Sequence, residues 1–307
     1  MTQSQRAPEW MAVSVSRSAD TRALRLLQAV LDAQDLKGTD LRELGGDGEQ
    51  FAAAVNFEAS SPVATAVRAA LADGIGHAGD TAVVAAGTRE KRVLICDMDS
   101  TVIGQECLDE LADFAGFKAE VSAITERAMR GELDFEAAIT ERVAMLKGLD
   151  LSALAECFET RISLNPGARV LVETMKSRGA ATMLVSGGFT FFTERVAKAA
   201  GFEQHLGNFL VDDGAALTGT VGRPILGRQA KLDALETAVS ALGITAGDVL
   251  AMGDGANDLA MIGAAGLGIA YRAKPVVAAG ADAAIDVCDL TAALFFQGIP
   301  ASEFVTG

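Results

Sequence analysis

Positive charge is in short supply along this sequence: 26 Lys and Arg stand against 41 Asp and Glu, a formal net charge of −15. A nucleic-acid backbone or an anionic membrane is held by clustered Lys and Arg, so neither is expected as a partner. An anionic substrate would have to be met by a local knot of cations or by a metal. Histidine and cysteine are scarcer still. His77 and His205 are the only histidines, and Cys96, Cys107, Cys157 and Cys288 lie far apart with no C-x-x-C pair. That spacing excludes a disulfide framework and an ordinary zinc site, and reduced thiols in a cytoplasmic protein are the expected setting. No window approaches the roughly 20 apolar residues of a membrane-spanning helix, and the opening MTQSQRAPEW carries no apolar signal region. Two familiar catalytic signatures are missing too, the G-x-x-x-x-G-K-[ST] phosphate loop and the G-x-S-x-G nucleophile elbow. DMDSTV, in turn, lacks the glycine of a calcium-binding hand.

What is present is an aliphatic chain. Half of the 307 residues are hydrophobic and only 5% aromatic, with 32 glycines, a composition that suits an α/β globule larger than one typical domain of about 100–150 residues. Over residues 11–90 the pattern reads strand (MAVSVS), helix (TRALRLLQAVLDAQD), two strands (LRELGG and FAAAVNFE) meeting at GGDG (45–48), helix (PVATAVRAALADG) and strand (TAVVAAG). This βαββαβ order is the ferredoxin-like plan. From Arg92 onward apolar strands (RVLICD, ATMLVS, DVLAMGD, GLGIA) alternate with longer helices, the signature of a Rossmann-like parallel sheet with helices on both faces. Residues 105–162 interrupt that alternation with three or four successive helices, read as an insertion. FLVDDGAALTGTV reads as a hairpin around DDG. The expected division is a small α+β domain over 1–90 and a core over 91–307, the inserted helical cap lying at about 105–162.

Three of the best strands end in a polar cluster: Asp97, Asp99 and Thr101 after the first, Ser186-Gly187-Gly188 after the second, and GDGAND (253–258) after the third. Ligands of open α/β sheets sit outside the carboxyl ends of the strands, so adjacent strands would bring these clusters together. Asp97 and Asp99, two residues apart, converge on one ligand only if the chain turns at Met98. Asp254, Asn257 and Asp258 add oxygen ligands, and carboxylates without histidine or thiolate suit a hard cation such as Mg2+. Ser186 and its glycines precede the helix FTFFTERVAKAAG, where a hydroxyl and backbone N–H groups can face a phosphate, and Lys231 offers a point charge to the same anion. Each element alone has a plainer role, as a turn, a cap or a solvated lysine. The functional case rests on their conjunction.

That conjunction resembles the haloacid-dehalogenase-type phosphohydrolases, whose sites combine D-x-D-x-T, a Ser or Thr after a second strand, a Lys, and an acidic G-D-x-x-x-D. DMDSTVIGQECLDELADFAG, ITERAMRGELDFEAAITERVAMLKG, LVSGGFTFFTERVA and MGDGANDLAMIGAAGLGIAYRAKP resemble the phosphoserine phosphatase branch in particular, over roughly residues 90–300. Residues 11–90 are more distantly similar to ACT-type regulatory modules. The resemblance implies hydrolysis of phosphoserine, with Asp97 as nucleophile and Asp99 as proton donor and later acceptor. It implies Mg2+ held by Asp97, Asp254 and the Asp99 carbonyl; phosphate contacts from Ser186, Gly187, Lys231 and Asn257; and support from Asp258 and Thr101. Arg142, beside the apolar stripe Phe135, Ile139, Val143 and Leu146, would bind the substrate carboxylate, and Glu106 its ammonium. Met129 and Phe135 would either wall the pocket or join the core. Phosphatase or phosphotransferase action on another small phosphomonoester stays open as an alternative, as does an amino-acid sensor with a silent core. So does a homodimer.

Overall fold

The computed structural model describes residues 7–17, 22–46, 50–129 and 132–306, with residues 126, 128 and 129 described by their backbone alone. The first unit comprises β1 (Glu9–Ser16), α1 (Arg22–Ala33), β2 (Gly38–Gly46), β3 (Phe51–Glu58), α2 (Ser61–Ile75) and β4 (Gly79–Ala85). Its strands pair antiparallel in the order β2-β3-β1-β4, the ferredoxin-like arrangement. Part of the GGDG turn expected between β2 and β3, Asp47 and Gly48, lies outside the described residues.

Both faces of this sheet are covered. Ala12, Val55, Phe57 and Val83 meet Leu27, Leu31, Val67 and Leu71 of the two helices. Met11, Val13, Val15, Ala52, Ala54 and Val84, displaced by one residue and so on the opposite face, share a second buried cluster with Phe295, Phe296 and Ile299 near the C-terminal end. Polar clamps fix that seam. The buried Asp80 carboxylate accepts from the backbone N–H groups of Asp286, Val287 and Cys288 at 2.9, 3.2 and 2.7 Å. Gln50 bonds Thr291 Oγ1 at 2.9 Å and the Asp289 N–H at 3.2 Å.

The second sheet is wholly parallel. β5 (Val93–Cys96) leads into four successive helices, α3 (Cys107–Phe114), α4 (Lys118–Met129), α5 (Phe135–Ala144) and α6 (Leu151–Arg161). The chain returns through α7 (Ala168–Ser177), β6 (Ala181–Phe189), α8 (Thr190–Ala200) and β7 (Gln204–Asn208). The hairpin β8 (Leu210–Asp212) and β9 (Leu217–Val221) comes next, then α9 (Arg228–Leu242), β10 (Val249–Gly253), α10 (Leu259–Ala264) and β11 (Leu267–Tyr271). α11 (Pro275–Ala279), β12 (Ala283–Ile285) and α12 (Ala292–Phe296) complete the series. Strand order is β12-β11-β10-β5-β6-β7. β5 is central and apolar on both faces: Val93 and Ile95 enter one layer with Val249, Ala251 and Leu235, Leu94 and Cys96 the other with Leu184 and Met252. The chain builds outward from β5 through β6 to β7, then crosses back to β10. The switch point therefore lies between β5 and β10, and a crevice opens at their carboxyl ends. Among the described residues no helix is long and apolar enough to cross a membrane.

Candidate active site

The crevice collects the strand-end polar groups. Asp97 follows β5 directly, 5% exposed; its Oδ1 accepts from the Met98 N–H at 2.7 Å and its Oδ2 lies 2.6 Å from Lys231 Nζ. The chain then turns sharply over Met98–Val102, with Ser100 at φ +55° in the left-handed region. This turn brings Asp99 back to the same pocket, where its Oδ1 accepts from the Cys107 N–H at 2.9 Å and its Oδ2 from Ser186 Oγ at 3.1 Å. Burial, reinforced by the charge of Asp97 and opposed by those hydrogen bonds, raises the Asp99 carboxyl to about 6. A carboxyl so placed can carry a proton near neutrality and give it up.

Lys231 sits in the first turn of α9, only 2% exposed. Its ammonium meets Asp97 Oδ2 and Asp258 Oδ1, each at 2.6 Å. Burial favours the neutral amine, but the two carboxylates more than offset it and the lysine pKa is raised. Burial and Asp97 also push Asp258 up, to about 7. These two tendencies oppose each other, and we read the pair as ionised because the lysine faces two carboxylates at contact distance. Asp258 Oδ2 also accepts from the Gly255 N–H at 3.0 Å, and an added Cβ at Gly253 would lie 2.3 Å from the Asp258 carboxyl carbon. The glycine of GDGAND thus makes room for that carboxylate. Asp254, its carboxyl raised by burial and then by Asp97, accepts from Thr101 Oγ1 at 3.3 Å.

Carboxylate oxygens of Asp97, Asp254 and Asp258 all lie within 4.8 Å of one another. Three acids against one ammonium, with oxygen donors alone, form a set that fits a hard divalent cation.

The helices after β5 close the pocket, a cavity of about 160 Å³ lined by Asp97, Asp99, Glu106, Phe135, Arg142, Ser186, Gly187, Asp254 and Asn257 among others. Asp134 caps α5 through the Ala137 N–H at 2.8 Å and fixes where the helix begins. Ile139, Val143 and Leu146 of its stripe are buried, whereas Phe135 is 41% exposed. Phe135 projects into the pocket instead, its ring so near Gly187 and Gly227 that a Cβ added at either would lie 3.2 Å from it. Arg142, half-buried, has its pKa lowered by burial against the pull of Asp109, Glu106 and Asp99. Glu106 lines the mouth of the pocket, its carboxyl turned inward, and accepts from Ser100 Oγ at 2.7 Å. Its crowded carboxyl is raised to about 7 by desolvation first and by Asp99 next. The Met129 side chain lies outside the described residues.

One residue bracing the β5 turn escaped the sequence reading. Asn165, in the turn NPG after α6, donates to the Thr101 carbonyl at 2.7 Å and braces the β5 turn; only the turn signal marked it. Gly188, the second glycine of the cluster read from the sequence, is packed as closely: a Cβ there would lie 2.9 Å from Asp99 Oδ2 and 3.0 Å from Ser186 Oγ. Gly188→Ala is therefore expected to displace Asp99 and cut turnover by about 10–100-fold, with little change in melting temperature. Steady-state kinetics beside thermal denaturation checks both, and unchanged kcat would remove Gly188 from the site.

Known proteins bear on this arrangement. The sequence profile of haloacid dehalogenase-like hydrolases matches residues 94–263. A phosphoserine phosphatase of a Polaromonas species is 47% identical over 201 residues, which cover 64% of this chain and 85% of that one. The phosphoserine phosphatase of Streptomyces coelicolor is 41% identical over 253 residues, 81% of this chain and 62% of the relative. Among solved structures, a probable phosphoserine phosphatase from Vibrio cholerae in unliganded form superposes with a TM-score of 0.75 at 26% identity, over 98% of this chain and 90% of that one. Phosphatases of this group generally use Mg2+. The profile match takes in more than half of the chain and every strand end that feeds the crevice, and the chain belongs to the haloacid dehalogenase-like hydrolase family.

Proposed function

We propose that the chain is a Mg2+-dependent phosphoserine phosphatase, releasing serine and phosphate through an aspartyl-phosphate on Asp97. The observation that carries this reading is the pocket's two-sided chemistry. Asp97, Asp99 and Ser186 lie at the strand ends, while Arg142 and Glu106, of opposite charge, reach it from the helices after β5. A phosphomonoester bearing both a carboxylate and an ammonium matches those two sides, and two relatives described above carry the corresponding name.

The Asp97 carboxylate attacks phosphorus and the bond to the serine oxygen breaks, that oxygen taking the proton held by Asp99. Asp99, now a carboxylate, accepts a proton from the water that attacks the aspartyl-phosphate. Phosphate leaves and Asp97 is restored. Ser186, Gly187 and Asn257 hold the phosphoryl oxygens, and Lys231 holds charge against them, kept in place by Asp258. The Asp97 and Asp254 carboxylates and the Asp99 carbonyl are the groups assigned to Mg2+, which when bound supplies positive charge opposite the developing phosphoryl charge. Residues 1–90 act as an ACT-like unit beside the 91–307 core with its cap at about 105–162. The enzyme works on a small cytoplasmic metabolite rather than on nucleic acid.

Steady-state hydrolysis of a phosphoester panel tests the reading. Phosphoserine is expected to lead in kcat/KM, and Arg142→Ala to raise its KM about 10–100-fold, the worth of a hydrogen bond to a charged group. Equal rates across the panel with a harmless Arg142→Ala would overturn it.

A further inference from the structure

Two adjacent glycines in a site that must be rigid pose a difficulty. Gly187 and Gly188 carry no Cβ, so little intrinsic restraint keeps the peptide between them from turning over. β6 is also irregular there: Val185 pairs with Leu206 and Phe189 with Asn208, so three residues, Ser186 to Gly188, stand opposite Gly207 alone. A regular ladder cannot hold that peptide.

Asn208, at the end of β7 and 1% exposed, occupies the gap. Its Nδ2 donates to the Gly187 carbonyl at 2.8 Å and to the Leu226 carbonyl at 3.0 Å, and its Oδ1 accepts from the Leu226 N–H at 2.7 Å. The Gly187 carbonyl and the Gly188 N–H belong to one trans peptide and point in opposite directions. Holding the carbonyl toward Asn208 therefore aims the N–H the other way, where it meets Ser186 Oγ at 2.8 Å. That hydroxyl in turn donates to Asp99 Oδ2 at 3.1 Å. Were the peptide reversed, a carbonyl oxygen would face the serine hydroxyl and the phosphate, two groups that want donors. The second half of the clamp reaches Leu226, which directly precedes Gly227, the cap of α9, and so ties the start of the lysine-bearing helix to the same strand end.

We propose that Asn208 is a positioning residue: it locks the orientation of the Gly187–Gly188 peptide and sets the spacing between Ser186 and the helix that carries Lys231. The inference rests on the phosphate end of the function proposed above and not on the identity of the alcohol. Asn208→Asp keeps the shape and the acceptor for Leu226 but turns the donor into an oxygen facing two carbonyls; Asn208→Ala removes the clamp. In full-length protein with Mg2+, calorimetry with inorganic phosphate should show both variants binding at least about tenfold more weakly per folded molecule, with the circular dichroism spectrum retained. A merely structural asparagine would lower the melting temperature and leave that affinity unchanged, which overturns the proposal. A variant that does not fold leaves a measurement on the wild type. The Leu226 amide should be strongly protected in hydrogen exchange, and exchange at the rate of an exposed loop amide overturns the clamp. Failure of phosphoserine hydrolysis alone would sink the substrate assignment while leaving both readouts intact.

Discussion

Asp97→Asn should abolish turnover and phosphoenzyme trapping while leaving the fold in place. The amide keeps the carboxylate's shape, and its oxygen can still accept from the Met98 N–H, now 2.7 Å from Asp97 Oδ1. Lys231 loses one of its two partners but retains Asp258 at 2.6 Å, so no buried charge is stranded. What disappears is the anionic oxygen that, in the mechanism proposed above, forms the bond to phosphorus. Loss of a nucleophile that acts as one unit with its proton carrier costs on the order of 10⁴-fold or more in kcat. Rapid quench with radiolabelled phosphoester should find label on the wild type and none on the variant, whose melting temperature stays within a few degrees. Residual turnover within about a hundredfold of wild type would assign the attack elsewhere, to water or to another carboxylate.

The difference between what could and could not be read from the chain is one of range. Strand β5 was legible because VLIC is buried on both faces and so reads as an unbroken apolar run. The clusters at the ends of β5, β6 and β10 were legible because each is contiguous in sequence, and the parallel plan supplied their convergence. Strands β7 and β12 were not: QHLGN is polar and lies at the sheet edge, and AAI is three residues long. The seam was also invisible, since Asp80 meets backbone groups more than 200 positions away and no local pattern marks a carboxylate as a backbone clamp. Phe135 shows the limit of periodicity, being in register with Ile139 and Val143 yet placed one turn too early to be covered, so that its ring was free to meet Gly187 and Gly227. Asn208 failed for a related reason. Its role depends on an irregularity in β6, and a ladder defect leaves only a pair of glycines in the sequence.

Lys231→Met should damage stability and turnover together. Methionine keeps much of the aliphatic stem in a site where the lysine is 2% exposed, so the cost is electrostatic rather than one of packing. Without the ammonium, Asp97 and Asp258 become uncompensated buried carboxylates, with Asp254 in the same cluster. Breaking such an arrangement by removing one partner costs about 3–5 kcal/mol. Uptake of a proton by Asp258, already raised to about 7, would soften that loss toward the lower figure. At about 2–4 °C per kcal/mol for a chain of this size, the metal-free variant should melt on the order of 10 °C below the wild type. Turnover should fall at least about 10²–10³-fold if, as proposed above, the charge lost is one held ready for the transferring phosphoryl group. Mg2+ separates these effects. A cation bound among the carboxylates replaces part of the missing charge, so saturating Mg2+ should raise the variant's melting temperature more than the wild type's, while turnover stays low. A metal-free variant melting within about 2 °C of wild type would mean that the carboxylates are neutral in the resting protein and that Lys231 is not what holds their charge.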